Sequence, residues 1–273
     1  LDNNLIEKLK RHTDIHSVFH FAALKSVPES EKNPDLYFKN NIEGTKQLLS
    51  LVQAHSIKRI IFSSSAAVYG DQDIQPIKET VVLSPKSVYA QTKKLSEELI
   101  KKQTQADQLK AISLRYFNPI GAHEDYVITD NFEGTNGNIM AMLIRVATGL
   151  EEKLNIFGDD YPTADGTGER DYIHINDIVD GHFKALERLE LIDEYEVYNL
   201  GTGSCTSVFE LIQTLEKVNG LKIDYKITSR RAGDLARSYA DPSKANEELN
   251  WEARYNLETM CKDAWEAIKN GVN

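Results

Sequence analysis

The sequence has 273 residues, of which 41% are apolar and 27% charged, as is typical of a globular protein with one large domain or two smaller ones. Its net charge of −10 opposes nonspecific attraction to nucleic acid or to an anionic membrane surface. Cys205 and Cys261 are too few for a disulfide framework or a zinc site, and no apolar run is long enough to span a membrane. We therefore expect a cytoplasmic protein with no metal and with neither nucleic-acid nor membrane partners.

The first half of the chain alternates apolar runs with helical periodicity. After an amphipathic opening segment, the pattern predicts a strand at 15–23, a helix at 36–55, a strand at 59–64, a helix at 88–104 and a strand at 111–116. Alternation of this kind is typical of a parallel sheet with helices on both faces. The predicted fold class is therefore α/β, as a doubly wound sheet.

After Pro119 a stretch rich in glycine and aspartate interrupts this rhythm. A helix at 138–148 and a strand at 154–157 follow, and then a helix at 176–189 and a strand at 195–201 that return to the main sheet. We infer a main domain formed by 1–119 and 171–204, and a smaller α/β lobe formed by 120–170 and 205–273.

Tyr89 and Lys93 lie four residues apart at the start of the predicted helix 88–104, so their side chains project from one face. A phenol with a pKa near about 10 is a poor base at neutral pH, but a neighbouring cation favours the phenolate. The spacing is therefore compatible with a general base, Tyr89, whose pKa is lowered by Lys93, and also with a half-buried tyrosine beside a solvated lysine.

Ser63, Ser64 and Ser65 end the apolar strand that precedes this helix. Open α/β sheets bind ligands at the carboxyl ends of their strands, so these hydroxyls are predicted to lie at the site. Ser65 is expected to form hydrogen bonds with both a substrate hydroxyl and Tyr89.

Eight motifs extend the pattern along the whole chain. They are His20-Phe-Ala-Ala-Leu-Lys25, Asn40-Asn-Ile-Glu-Gly-Thr45, Ser63-Ser-Ser-Ala-Ala-Val-Tyr-Gly70, Tyr89-x-x-x-Lys93, Arg115-Tyr-Phe-Asn-Pro119, Phe157-Gly-Asp-Asp-Tyr-Pro-Thr163, Gly168-Glu-Arg-Asp-Tyr-Ile-His174 and Tyr198-Asn-Leu-Gly201. In this order they resemble the UDP-galactose 4-epimerases of the extended short-chain dehydrogenase/reductase superfamily. The resemblance implies a Rossmann-like main domain that binds NAD, a smaller lobe that binds a UDP-sugar, and a homodimer formed through helices 36–55 and 88–104.

The resemblance also assigns roles to individual residues. Tyr89, Lys93 and Ser65 would be catalytic. The residues along NAD would be Phe21, Ala22, Ala23, Lys25, Asn40, Tyr89, Lys93, Tyr116 and Phe117. The residues along the UDP-sugar would be Ser65, Asn118, Asn138, Asn155, Ile156, Phe157, Arg170, Arg231, Asp234 and Ser238, with the two arginines on the diphosphate.

The implied reaction removes the proton of the sugar 4-hydroxyl and a hydride from C4, and returns the hydride to the opposite face of the 4-keto sugar. Some family members have a tyrosine where this sequence has Ser238. The smaller side chain leaves room beside the sugar 2-position, which predicts that UDP-N-acetylhexosamines are accepted as well as UDP-hexoses.

The glycine-rich loop that would hold the pyrophosphate of NAD does not occur in this sequence. The first glycine of the sequence is Gly44. The nearest match to the expected G-x-x-G-x-x-G is Gly134-x-x-Gly137, which has Met140 in place of the third glycine. Comparison with the family implies roughly 60 further residues before Leu1, enough for two strand-helix units. We therefore expect a sheet that lacks its first units, and a chain whose own binding of NAD and activity are in doubt.

Two alternatives remain open from the sequence. A nucleotide-sugar 4,6-dehydratase or decarboxylase would share Tyr-x-x-x-Lys, but typically places a carboxylic acid after the serine-bearing strand, where this chain has Ala66 and Ala67. The other alternative, from outside the enzymes, is a catalytically silent fragment that binds a UDP-sugar.

Overall fold

The structure, a computed structural model, describes residues 15–106, 108–123, 125, 138–231 and 234–270. The opening amphipathic segment and the spacing Gly134-x-x-Gly137 lie outside these ranges. Within them, no helix is long and apolar enough to cross a membrane. The same ranges contain no group of three or more His, Cys, Asp or Glu side chains placed to hold a metal ion.

The elements follow one another in this chain order: β1 (Val18–His20), α1 (Val27–Lys32), α2 (Pro34–Tyr37), a π-helical segment (Phe38–Glu43), α3 (Gly44–Ala54), β2 (Arg59–Ser65), a 3₁₀ turn (Ala66–Tyr69), α4 (Val88–Ala106), β3 (Lys110–Tyr116), β4 (Asn118–Ile120), α5 (Ile139–Ala147), β5 (Leu154–Phe157), β6 (Glu169–Arg170), β7 (Tyr172–His174), α6 (Ile175–Arg188), β8 (Tyr195–Leu200), β9 (Thr206–Ser207), α7 (Val208–Asn219), β10 (Tyr225–Thr228), β11 (Arg237–Ser238), α8 (Ser243–Leu249) and α9 (Leu257–Lys269).

A four-stranded sheet with all neighbours parallel forms the centre of the main domain, in the order β1-β2-β3-β8. Its two central strands are buried along most of their length, which explains the apolar run 60–62 in β2 and the apolar Ala111, Ile112 and Leu114 in β3. Helices α3 and α4 contribute Leu49 and Ile100 to the core on one face. Helices α6 and α8 contribute Ala185 and Leu249 on the other, which confirms the predicted doubly wound α/β sheet.

The predicted elements of the main sheet agree with the structure to within a few residues, except for β1 and the helix 36–55. Strand β1 is shorter than predicted because the chain leaves the sheet after His20. The helix is divided by the π-helical segment, which places Asn41 in the interior. The Asn41 amide bonds both the N–H and the carbonyl oxygen of Leu24 and the hydroxyl of Thr92, so it ties the loop after β1 to α4.

The second core joins α5, α7 and α9 with β5, whose parallel partner β10 is largely exposed. Strands β6, β9 and β11 form a separate three-stranded sheet beside it. Ala245, Leu249 and Trp251, which the sequence-based division places in the smaller lobe, pack instead in the core of the main sheet. The division into two units otherwise stays a prediction.

Candidate active site

Tyr89 and Lys93 lie one turn apart in α4, with the Lys93 ammonium 5.9 Å from the centre of the Tyr89 ring. Lys93 Nζ donates a 2.6 Å hydrogen bond to the carbonyl oxygen of Ser63, and it lies 4.9 Å from the centre of the Phe62 ring. The lysine is buried. The pair therefore faces the carboxyl end of β2, where the serine run is.

Burial raises the pKa of the Tyr89 phenol, and a hydrogen bond with Ser65 opposes that rise. Desolvation therefore sets the direction of this shift in the chain alone, and the lowering by the charge of Lys93 stays a prediction. Burial also lowers the pKa of Lys93 to about 8, while the carboxylate of Glu97 raises it. Lys93 is thus mostly protonated at pH 7.

Tyr116 brings a second phenol to the same place. It lies opposite Ser65 in the β2–β3 register, and its pKa is raised by burial and by the proximity of Tyr89, against a hydrogen bond with the Ser63 side chain. Its hydroxyl lies 2.6 Å from Nε2 of His182. Nδ1 of His182 lies 2.8 Å from the carbonyl oxygen of Ile178 and must donate to it, so Nε2 is the acceptor and Tyr116 the donor.

A buried ion pair between Glu97 and Arg115 connects the elements at this end of the sheet. Glu97, one turn after Lys93, binds Arg115 through both carboxylate oxygens at 2.9 and 2.6 Å, and each side chain is only 5% exposed. Ser64 donates a 2.5 Å hydrogen bond to the same carboxylate. Arg115 also donates to the hydroxyl of Tyr69 at 3.0 Å. Strands β2 and β3 and helix α4 are thereby fixed to one another.

The residues predicted to contact NAD differ in burial: several are exposed, whereas Phe117 is buried. Phe21 follows β1, is 57% exposed, and has its ring 4.8 Å from that of His182, which places it beside Tyr116. Ala22, Lys25 and Asn40 are also exposed, and Ala23 is partly so. Phe117, by contrast, is buried in a cluster with the ring of Tyr69 at 6.5 Å.

The predicted substrate residues form a second cluster where β5, β6, β10 and β11 end. The Arg231 guanidinium lies 4.4 Å from the centre of the Phe157 ring, and its Nε donates a 2.8 Å hydrogen bond to Asp234. Arg170 Nη2 lies 3.8 Å from the same carboxylate. Ser238 pairs with Arg170 in the β11–β6 register. Five predicted residues therefore meet at one place.

The other residues predicted to bind the substrate have different contacts. Asn118 bonds the carbonyl oxygen of Asp171 through its backbone and side-chain nitrogens, so it joins the end of β3 to the segment that carries Arg170. Asn138 caps α5 by accepting from the N–H of Met140 at 2.9 Å. In β5, Asn155 is exposed and Ile156 is buried in the second core.

Several residues at these two clusters did not emerge from the sequence as site residues. Arg115 had a usable signal, since a charged residue inside an apolar strand needs a buried partner. His182 and Asp171 had none, because their partners are far away in the chain: Asp171 accepts from Thr202, Gly203 and Ala240. The burial of Asp171 raises the pKa of its carboxyl group, against those hydrogen bonds.

The model of the NAD dependent epimerase/dehydratase family matches residues 1–201. UDP-glucose 4-epimerase of Bacillus subtilis (strain 168) is 43% identical over a 274-residue alignment that covers 100% of this chain and 81% of that protein.

Solved structures agree with this match. The crystal structure of UDP-glucose-4-epimerase from Stenotrophomonas maltophila, with bound NAD and formylated UDP-arabinopyranose, is 43% identical and superposes with a TM-score of 0.94 over 98% of this chain and 80% of that one. The UDP-Glc/GlcNAc 4-epimerase from Campylobacter jejuni is 35% identical and has a TM-score of 0.84 over 98% of this chain and 81% of that one. The Rossmann-like sheet and the arrangement of its helices are thus those of these enzymes.

Proposed function

This chain belongs to the NAD dependent epimerase/dehydratase family, and we propose that it is an isomerase that interconverts UDP-glucose and UDP-galactose by inverting C4. The observation that carries the proposal is the convergence of Ser65, Tyr89, Lys93 and Tyr116 at the carboxyl ends of β2 and β3. The cluster around Arg170 and Arg231 supports a diphosphate substrate, since it concentrates guanidinium groups on a chain with a net charge of −10.

Tyr89 removes the proton of the sugar 4-hydroxyl, and Ser65 holds that hydroxyl and the phenol in one hydrogen-bonded line. Lys93 keeps a positive charge beside the phenol and stabilises its anionic form. Loss of this proton together with a hydride from C4, which NAD would accept when bound, leaves a 4-keto sugar that turns within the pocket and presents its other face. Tyr89 then returns its proton as C4 regains the hydride, so that the C4 epimer leaves with no net change in redox state.

The donors and rings present fit the nicotinamide riboside half of NAD. Ser63 takes only one of the three N–H groups of Lys93, which leaves others for ribose hydroxyls. Phe21 and Tyr116 would pack along the ring, with Ala22, Ala23, Lys25, Asn40 and Phe117 as the further proposed neighbours. When bound, NAD would supply the acceptor and donor of the C4 hydride and a positive charge beside Tyr89.

Phe157 with Asn155 and Ile156 would line the uracil, Asp234 would accept from ribose hydroxyls, and Asn118 and Asn138 would add donors. Ser238 leaves space beside the sugar, and we include UDP-N-acetylhexosamines among the substrates. The Campylobacter jejuni relative, whose name gives it both UDP-Glc and GlcNAc, supports this extension.

The decisive experiment incubates the protein with NAD and UDP-galactose and identifies the product by NMR. Formation of UDP-glucose is expected. A 4,6-dehydrated or decarboxylated nucleotide sugar would contradict the proposal and favour a related enzyme of the superfamily. Binding of UDP without any turnover would instead favour a silent sugar-binding protein.

We also propose that the protein forms a homodimer through α2, α3 and α4. Leu36 and Leu95, both exposed on these helices, support such an interface. Sedimentation velocity should give the mass of two chains, and Leu95→Glu should reduce it to one. We place the reaction in the cytoplasm.

A further inference from the structure

Two consecutive arginines, Arg230 and Arg231, leave β10 and lie on two aromatic rings at the end of β5. The Arg231 guanidinium lies 4.4 Å from the centre of the Phe157 ring, and that of Arg230 lies 4.1 Å from the centre of the Tyr161 ring. The family resemblance gave Arg231 a role with the diphosphate, whereas it gave none to Arg230. The second contact therefore needs its own explanation.

Arg230 is held on its edge as well as on its face. Its Nε donates a 2.6 Å hydrogen bond to Oδ1 of Asp160, and its Nη2 donates to the backbone carbonyl oxygen of the same residue. Only a planar guanidinium can make this pair of bonds while it lies on a ring, since an ammonium is a point donor. The geometry is specific to arginine.

The backbone at Gly158 leaves room for this contact. Its φ of +91° is in the region that favours glycine, and a Cβ there would lie 2.7 Å from Cγ of Arg230 and 2.8 Å from the Tyr161 ring. A side chain at this position would therefore push the arginine off the ring. Gly158 and Arg230 form one unit of packing.

This unit holds the segment that carries the proposed UDP ligands. Thr228 pairs with Phe157 in the β10–β5 register, so the chain must fold back over the end of β5 immediately afterwards. Arg231 and Asp234, which follow Arg230, bind each other, and they also contact the Phe157 ring and Arg170 respectively. The Tyr161 hydroxyl has no hydrogen-bond partner within the described part of the chain, so the ring rather than the hydroxyl makes the contact.

We propose that Arg230 is a positioning residue of the UDP site: by clamping Asp160 and Tyr161 it holds Arg231 and Asp234 where the diphosphate and ribose bind. This inference rests on the proposed function. Loss of one partly exposed arginine–aromatic contact corresponds to about a threefold to tenfold rise in the dissociation constant of UDP.

The test measures binding of UDP by isothermal titration calorimetry, without sugar and without NAD. Arg230→Lys keeps the charge but not the planar contact, so its dissociation constant should rise by about the same factor as that of Arg230→Ala. If Arg230→Lys binds UDP as tightly as the unaltered protein, Arg230 contributes only its charge and the proposal is wrong. Gly158→Ala should weaken binding similarly without removing any charge.

A matched control separates the ring from its hydroxyl. Tyr161→Phe should bind UDP within about twofold of the unaltered protein, whereas Tyr161→Leu should weaken binding as Arg230→Lys does. A loss in Tyr161→Phe equal to that in Tyr161→Leu would overturn the clamp, because the hydroxyl would then be the group that acts.

A second measurement distinguishes positioning from general loss of structure. In a background that carries both Arg231→Ala and Asp234→Ala, Arg230→Lys should change the dissociation constant of UDP by less than about twofold, because both groups that it positions are absent. An undiminished effect in that background would exclude the proposed route. If the unaltered protein does not bind UDP, the proposed function is wrong. If it binds UDP and the Arg230 variants bind UDP equally tightly, only this inference is wrong.

Discussion

The ammonium of Lys93 lies 5.9 Å from the centre of the Tyr89 ring, and it is directed at the carbonyl oxygen of Ser63, 2.6 Å away. The lysine therefore serves two partners at once: it fixes the end of the serine strand, and it places a positive charge beside the phenol. Because burial raises the pKa of Tyr89, the chain by itself holds this phenol in its protonated form.

Tyr89→Phe should lower kcat by about 10²- to 10⁴-fold, because the ring remains but no group can take the proton of the 4-hydroxyl. The free energy of unfolding should change by only about 1 kcal/mol, since one hydrogen bond is lost. A matched control is Tyr195→Phe, which removes a buried hydroxyl bound to Ser113 on the same sheet. It should turn over normally. Near-normal turnover by Tyr89→Phe would exclude Tyr89 as the base.

Acid should destabilise the protein in part through His20. Burial, with the nearby charge of Lys93, lowers the pKa of His20 to about 4 from an ordinary value near 6.5. The folded state then binds fewer protons than the unfolded state between these two values, so stability is complete above pH 6.5 and is lost as pH falls toward 4. The contribution is about 3 kcal/mol at most.

The measurement is urea unfolding of the unaltered protein and of His20→Asn at pH 7 and pH 4.5. The buried His174 and His182, whose pKa values are also lowered by burial, remain in both proteins and cancel in the comparison. The unaltered protein should lose more stability than the variant. Equal losses in both would show that His20 does not titrate in this range.

Glu97→Gln should destabilise the fold by about 3–5 kcal/mol, because it leaves the guanidinium of Arg115 buried without a counter-charge. It should also lower the pKa of Lys93 further, since the carboxylate of Glu97 raises that pKa. Glu43→Gln breaks an exposed pair with Lys46 and should cost less than about 1 kcal/mol. Similar effects of the two substitutions in urea unfolding would contradict a buried ion pair.

Ser238→Tyr should reduce kcat/KM for UDP-N-acetylglucosamine by about tenfold or more while leaving that for UDP-galactose within about threefold, because the larger ring fills the space beside the sugar 2-position. Ser238→Ala keeps the side chain small and should retain both activities. The measurement is steady-state kinetics of the unaltered protein, Ser238→Tyr and Ser238→Ala with both substrates. An unchanged ratio in Ser238→Tyr would remove Ser238 from sugar selection.

The sequence by itself determined the fold class and the candidate chemistry, because both depend on local spacing. Short apolar runs predicted strands β2 and β3, and helical periodicity predicted α4, since a helix repeats its face every turn. Tyr89 and Lys93 could be paired for the same reason, and the ordered motifs supplied Arg170, Arg231 and Asp234.

Only the tertiary structure decided how these groups are charged and held. The direction of the pKa shift of Tyr89 depends on how much water the fold removes, which no spacing records. The bond between Tyr116 and His182, the ion pair of Glu97 with Arg115, and the clamp of Arg230 on Tyr161 each join residues from different elements. Their partners are fixed by packing across the sheet and between loops, so contact depends on the folded path of the whole chain rather than on any short stretch of it.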